Sequence, residues 1–205
     1  MEKLLGKTPS QLKEIALSAG LPGFTGNQLA QWIYGKRART LAEMTNLSKA
    51  GRERLAESYE VGVALPLGKA TSSDGTSKYL FPVNGNPDNA VEAVMIPDGD
   101  RKTLCVSSQA GCKMGCKFCM TGRQGFHGNL SAADILSQFF GIDEAEQLTN
   151  TVFMGMGEPL DNWEEVKKVI EVLTASWGFG WSPKRITLST IGVIPNLKRY
   201  LDECR

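Results

Sequence analysis

Three cysteines stand within eight residues, Cys112, Cys116 and Cys119, and no other feature of the 205-residue chain restricts its fold and chemistry so much. A loop of this kind closes around a metal or a cluster. Iron–sulfur clusters are held by cysteine thiolates, usually four, so three ligands spaced by three and then two residues leave one iron of a cubane cluster without a protein ligand. An open iron can bind a substrate. Zinc is the other reading, since a structural tetrahedron needs a fourth donor and Cys105, His127 and Cys204 are candidates. The spacing alone leaves both open. Five cysteines in all, three of them in one loop, fit a reducing compartment and a cluster better than a disulfide framework.

Length and charge set further bounds. The chain is long enough for one large or two small domains with a proper core. A formal net charge of +1 gives no global attraction for nucleic acid, so RNA contacts must come from local patches. No apolar run approaches the ~20 residues that span a bilayer. Met1-Glu-Lys-Leu-Leu lacks the apolar stretch of a signal peptide, and a cytoplasmic protein with no membrane partner is expected.

Residues 1–59 read as a small helical bundle. Thr8 to Gln11 forms a capping box with Pro9 at the first helical position, followed by Leu12, Ile15, Ala16 and Ala19 at helical spacing up to Gly20. Thr25 to Gln28 is a second box, opening a segment with Leu29, Trp32 and Ile33 on one face, and Thr40 to Glu43 is a third. Between them Lys36-Arg37-Ala38-Arg39 is either a phosphate-contacting patch or a solvated helix end favoured by the helix dipole.

From 60 to 97, and on to about 107, the pattern has period two. Asp74-Gly75 and Asp98-Gly99 are hairpin turns between alternating strands. With Asp98 and Gly99 as the two central residues of the second turn, Glu92 faces Cys105, with Cβ atoms roughly 4.5–5.5 Å apart. A longer loop shifting the pairing by one residue would put them on opposite faces. By itself Glu92 also reads as an outward charge on an edge strand, and Cys105 as a small buried hydrophobe.

From 98 to 205 strands and helices alternate. A strand at about 103–108 leads through the cysteine loop to a helix capped by Ser131 and Asp134. Thr151-Val-Phe-Met leads through Gly155-Met-Gly157-Glu158 to a helix capped by Asn162 and Glu165, and Ile186-Thr-Leu-Ser189-Thr leads to a helix from Pro195. Such repeats build a parallel sheet or barrel whose sites lie at the C-terminal strand ends. Gly155-x-Gly157-Glu158 lacks the third glycine of a dinucleotide fingerprint, and its glutamate suits a ligand's ammonium rather than a pyrophosphate. A plain turn is the alternative.

The run from Cys112 through Cys119-Met-Thr-Gly to Arg123-Gln124-Gly125, with Met154-Gly-Met-Gly-Glu-Pro159, Leu188-Ser-Thr190 and Glu43-Met-Thr-Asn-Leu-Ser48, resembles the radical S-adenosylmethionine superfamily. More narrowly, it resembles the adenine-C2 RNA methyltransferases. The resemblance implies an α/β fold, the first half of a partial (βα) barrel preceded by a small helical domain and β-hairpins. It implies a [4Fe-4S] cluster on Cys112, Cys116 and Cys119, whose free iron chelates S-adenosyl-L-methionine. Gly157 and Glu158 match the residues that hold the methionine amine, and Ser189 a further contact to that cofactor. Glu92 matches a proton acceptor and Cys105 the cysteine that resolves a methylated intermediate, and a disulfide bond is among the expected features.

Its expected partners are 23S rRNA at the peptidyl-transferase centre, the adenosine beside the anticodon of some tRNAs, and a reducing partner such as flavodoxin. Residues 1–59 match an accessory domain for RNA recognition, and the complete protein is expected to be a monomer. Ile191 departs from the serine or valine usual in the family without disturbing Ser189. No residue matches the methyl-accepting cysteine, Cys204 being in the wrong place and read as a structural thiol, so the chain is expected to be a truncated fragment, inactive alone. A C8-adenine methyltransferase of the same family, or a zinc-binding RNA-interaction module closed by Cys105 and the three loop cysteines, are the alternatives.

Overall fold

The computed structural model describes residues 1–203, in two compact units. The first comprises Met1–Val63 with Lys168–Ser182, and the second Ala64–Lys167 with the chain from Pro183 onward.

In the first unit β1 (Glu2–Lys3) is followed by α1 (Pro9–Ser18), α2 (Thr25–Ala30), α3 (Lys49–Ala56) and β2 (Tyr59–Glu60), the last pairing parallel with β1. The Thr8 box forms as expected: its hydroxyl accepts from Gln11 N–H, and the Gln11 side chain accepts from Thr8 N–H. The Thr25 box does not form. Thr25 lies inside the first turn of α2 and is buried. The neighbouring helix presses close here: a Cβ on Gly26 would come within 2.5 Å of the Lys13 backbone. The Thr40 box forms but opens only the short 3-10 turn Leu41–Glu43. Leu4, Leu12, Leu29, Ile33 and Leu55 are the fully buried centre of this unit.

The second unit begins with β3 (Gly68–Thr71), β4 (Ser77–Val83), β5 (Asn86–Asp98) and β6 (Arg101–Cys105). The chain continues through β7 (Gln109–Gly111), α4 (Met120–Arg123), β8 (Phe126–Asn129), α5 (Ala132–Phe140), β9 (Asn150–Phe153), α6 (Trp163–Thr174), whose residues from Lys168 belong to the first unit, β10 (Ile186–Leu188) and α7 (Ile194–Glu203). Six strands make one sheet in the order β10-β9-β6-β5-β4-β3. The hairpin strands β3 to β6 are antiparallel, whereas β6, β9 and β10 run parallel and each is followed by helix, giving the mixed α/β architecture with three βα units. Strict alternation decides which face is covered: Tyr79, Phe81, Val91, Ala93, Met95 and Leu104 are all buried. Gly141, at the end of α5, lies against the Phe81 ring, so α5, buried throughout, covers this face.

Three local expectations are corrected. The β5–β6 turn has Gly99 and Asp100 at its centre, with Asp98 paired to Arg101, so Cys105 stands opposite Val94 rather than Glu92. Asn162 stands just before α6, its carbonyl accepting from Val166 N–H at 3.1 Å, but the expected pairing with Glu165 gives way to other partners. Its side-chain amide donates to the carbonyls of Ser108 and Leu130, both at 2.8 Å, and the Glu165 carboxylate accepts from Ala132 N–H at 2.7 Å. The cysteine loop does not lead directly to α5 but is framed by a separate two-stranded ladder, β7 with β8. A further turn, Asn84-Gly85, joins β4 to β5 with both residues at positive φ, the usual chemistry of a two-residue hairpin.

Candidate functional site

The site is built on the segment that leaves β6. Gln138 of α5 holds both backbone groups of Ser107, accepting from its N–H at 2.9 Å and donating to its carbonyl at 3.0 Å. The Ser107 hydroxyl donates to the Glu92 carbonyl at 2.6 Å and accepts from Met156 N–H at 2.9 Å. The Gly155–Glu158 turn is thereby docked on the first βα loop. Both its glycines are required by that contact: a Cβ on Gly155 would come 2.7 Å from the Val106 carbonyl, and one on Gly157, at φ +97°, 2.5 Å from Gln109 Cβ.

Across the turn from these residues the cysteine loop leaves β7. Gly111 takes a left-handed φ of +71°, which only glycine adopts without strain, and a Cβ there would overlap the Gly125 carbonyl at 1.8 Å. Cys112 N–H donates to that same carbonyl at 3.0 Å, and Cys119 N–H to the Cys116 carbonyl at 3.0 Å. The Arg123 guanidinium donates to the Lys117 carbonyl through two nitrogens. All three loop cysteines are partly accessible, and none is in a disulfide. The expected disulfide bond is therefore not formed: the four described cysteines are free thiols, and Cys204 lies outside the described residues.

The donors suit a thiolate-bound group. Hydrogen bonds from Gly122 N–H first, and then from the Thr121 backbone and hydroxyl, hold the Cys119 thiol below its usual pKa, while the other two thiols leave the same loop. Among the described residues no three His, Cys, Asp or Glu side chains converge into a metal-holding group. His127 Nε2 donates to the Gln124 carbonyl at 3.0 Å. Cys105 ends β6, where burial pushes its thiol pKa up despite a hydrogen bond from Met154 N–H. Thiolate is the reactive species, so at a common pH near 8 the larger thiolate fraction belongs to Cys119. Iodoacetamide mass mapping is expected to find Cys119 modified several-fold faster than Cys105, with the Cys105 rate still rising at higher pH; equal rates would refute this.

Glu158 is buried, with 4% of its surface exposed, and its carboxylate accepts from Leu160 N–H at 3.0 Å, the Thr190 hydroxyl at 2.6 Å and Ile191 N–H at 3.0 Å. It ties the second βα loop to the third. Ser189, next to Thr190 in sequence, is exposed. Glu92 forms an ion pair with Lys78 at 2.9 Å on the more accessible face of the sheet. Because the true register differs from the expected one by two residues rather than one, Glu92 and Cys105 keep the same face as diagonal neighbours, a geometry that separates side chains by roughly 7–8 Å. An open cleft of about 540 Å³ adjoins the cysteine hairpin, with Asp88, Ala110, Gly111, His127 and Met156 in its wall. In the first unit Lys36 Nζ lies 3.8 Å from the Trp32 ring centre and Arg37 5.0 Å from that of Phe179, so two cations of the Lys36–Arg39 patch are arranged by aromatic rings.

The family model of the radical SAM superfamily matches residues 106–205, and that of the ribosomal RNA large subunit methyltransferase N-terminal domain matches 2–61. A relative from Porphyromonas gingivalis, a probable dual-specificity RNA methyltransferase RlmN, is 58% identical over 202 residues, which are 98% of this chain and 58% of that protein. Residues 106–205 thus match the radical SAM superfamily, and the chain is similar to RlmN methyltransferases along nearly its whole length. A second RlmN relative, from Marinomonas, is 42% identical over 95% of this chain and 55% of its own length. The crystal structure of a radical SAM methyltransferase from Sphaerobacter thermophilus superposes with a TM-score of 0.87 at 34% identity, covering 97% of this chain and 60% of that one. The chain thus spans under two thirds of the length of these relatives.

Within the radical SAM segment, sequence reasoning passed over Ser107, Gln109, Gln138 and Thr190. Ser107 and Gln109 had a signal, polar residues directly after a strand end that opens the cysteine loop. Gln138 had none, since a glutamine in an apolar helix looks the same whether or not it reaches a loop.

Proposed function

We propose that the chain is the cluster-bearing part of a radical SAM methyltransferase acting on C2 of adenine in 23S rRNA, at the peptidyl-transferase centre, and in tRNA beside the anticodon. One observation carries this reading: the Met156–Glu158 turn is hydrogen-bonded to Ser107, Ser108 and Gln109, the segment that leads directly into the loop of Cys112, Cys116 and Cys119. The names of the relatives support the methyl transfer and the dual RNA specificity.

In this reading the three thiolates hold a [4Fe-4S] cluster and Gly157, Glu158 and Ser189 hold S-adenosyl-L-methionine. Bound there, the cluster would supply the electron for reductive cleavage of the S–C5′ bond of S-adenosyl-L-methionine, giving methionine and a 5′-deoxyadenosyl radical. Radical chemistry is needed because an aromatic C2 is not nucleophilic, and polar methyl transfer to it fails. Glu92, its carboxylate oriented by Lys78, accepts a proton from the methylated adenine. Cys105 resolves the adduct to a methylated cysteine that no residue of this chain matches, so the chain alone does not complete the transfer. Residues 1–59 act as the RNA-recognition domain, with 60–97 as the connecting hairpins and 98–205 as the barrel core. A cytoplasmic setting, a flavodoxin-like electron donor and a monomeric complete protein belong to the same proposal.

The test is anaerobic reconstitution with iron and sulfide, metal analysis, and EPR of the reduced protein with and without S-adenosyl-L-methionine. About four irons per chain and a spectrum that changes on adding S-adenosyl-L-methionine are expected. Zinc uptake without iron would overturn the reading in favour of the zinc module. Mapping the methylated carbon on RNA treated with the complete protein separates C2 from C8.

A further inference from the structure

The Gln109 side chain is fully buried, and both the oxygen and the nitrogen of its carboxamide are hydrogen-bonded. Oε1 accepts from Glu158 N–H at 2.9 Å, while Nε2 donates to Asn129 Oδ1 at 2.8 Å and Asp161 Oδ2 at 2.7 Å. A primary amide has two donor hydrogens, and both are engaged. Its orientation is fixed by the partners, because a backbone N–H can meet only the oxygen and two oxygen acceptors only the nitrogen. The Asp161 oxygen that takes one of these hydrogens also lies 3.0 Å from Lys113 Nζ, on the residue that follows Cys112. Asn129 belongs to β8, the strand that closes the cysteine hairpin. The Gln109 stem meanwhile occupies the space that a side chain on Gly157 would need.

We infer that Gln109 is a positioning residue that locks the cysteine loop and the Gly157-Glu158 turn into one register, with Asp161 as its relay to Lys113. The inference rests on the proposed function for its purpose, since a three-thiolate site and an amine-holding turn must share one ligand. Its geometry stands without that reading. A residue that only filled space would be replaceable by its isostere, whereas here the isostere is expected to fail: in Gln109→Glu the new carboxylate cannot donate, and one of its oxygens would be set against that of Asp161.

The experiment is hydrogen–deuterium exchange with mass spectrometry on the full 205-residue chain, comparing parent, Q109E, D161N and Q109E/D161N. In Q109E, exchange is expected to rise about tenfold in both the 112–119 and the 156–161 segments, as suits loss of a buried bond to a charged group, and to stay within about twofold in α1 and α3. Adding D161N supplies an amide donor facing the carboxylate of Q109E and is expected to return the 156–161 segment towards the parent. A rise in one segment only, or an even rise over β4 to β6, would reduce Gln109 to a packing residue. Should Q109E not fold, D161N alone decides: it keeps an acceptor for Gln109 but loses the charge opposite Lys113, so exchange in 112–119 must rise severalfold, and no change there would overturn the relay. These readouts need no iron. Failure of the parent to take up a cluster therefore counts against the proposed function, and failure of the exchange pattern against this inference.

Discussion

Cys116→Ala is expected to reduce iron bound after reconstitution from about four per chain to near background, with loss of the reduced-state EPR signal. Cys112→Ala and Cys119→Ala should do the same. A cubane with three protein thiolates already leaves one iron open, and a second open iron removes the constraint that keeps the cluster on the protein. Cys105→Ala separates the readings. Cys105 ends β6, opposite Val94, and lies outside the three-thiol loop in sequence, so its removal is expected to leave iron content within error of the parent. If Cys105→Ala instead abolished metal binding as completely as Cys116→Ala, Cys105 would be a fourth ligand and the zinc-type tetrahedron would replace the cluster.

Gly111→Ala is expected to be the most damaging single methyl in the site. The left-handed φ of +71° costs an alanine about 1–2 kcal/mol. The overlap at 1.8 Å with the Gly125 carbonyl is far worse, because the obstacle is backbone and carries the Cys112 hydrogen bond. Hairpin and loop must separate, and a total loss of about 4 kcal/mol or more is expected. Thermal unfolding of a chain of this size should then fall by about 10 °C or more. Gly125→Ala is the control. It has φ +81° but nothing within 4 Å of the added methyl, so only the conformational cost applies and a drop of a few degrees is expected. Equal melting temperatures for the two variants would remove the steric argument.

The elements that were legible share one property, that their information is local. The Thr8 and Ser131 boxes are satisfied within one helical turn, and the alternation along β4 and β5 follows from strand geometry with one covered face. The Thr25 box has the same letters and does not form, and beside it Gly26 admits Lys13, a contact thirteen residues away in sequence. The β5–β6 register is a similar case. Asp98-Gly99 is a favoured turn pair, but Asp98 instead faces Arg101 in an ion pair, and the turn moves on by one residue. Each partner moves, so the pairing shifts by two and the face shared by Glu92 and Cys105 survives the error.

Spacing along the chain was enough to establish the three thiols in one loop, the strand–helix alternation behind them and the Gly-Glu turn. It took the packed molecule to reveal that Glu158 is enclosed by Thr190 and Ile191, that the Asn162 amide joins two distant carbonyls, and that Gln109 connects the cysteine hairpin to the turn. One cause accounts for all three. A buried polar group must find its partners wherever packing brings them, and partners 20 to 54 residues distant leave no periodicity to read.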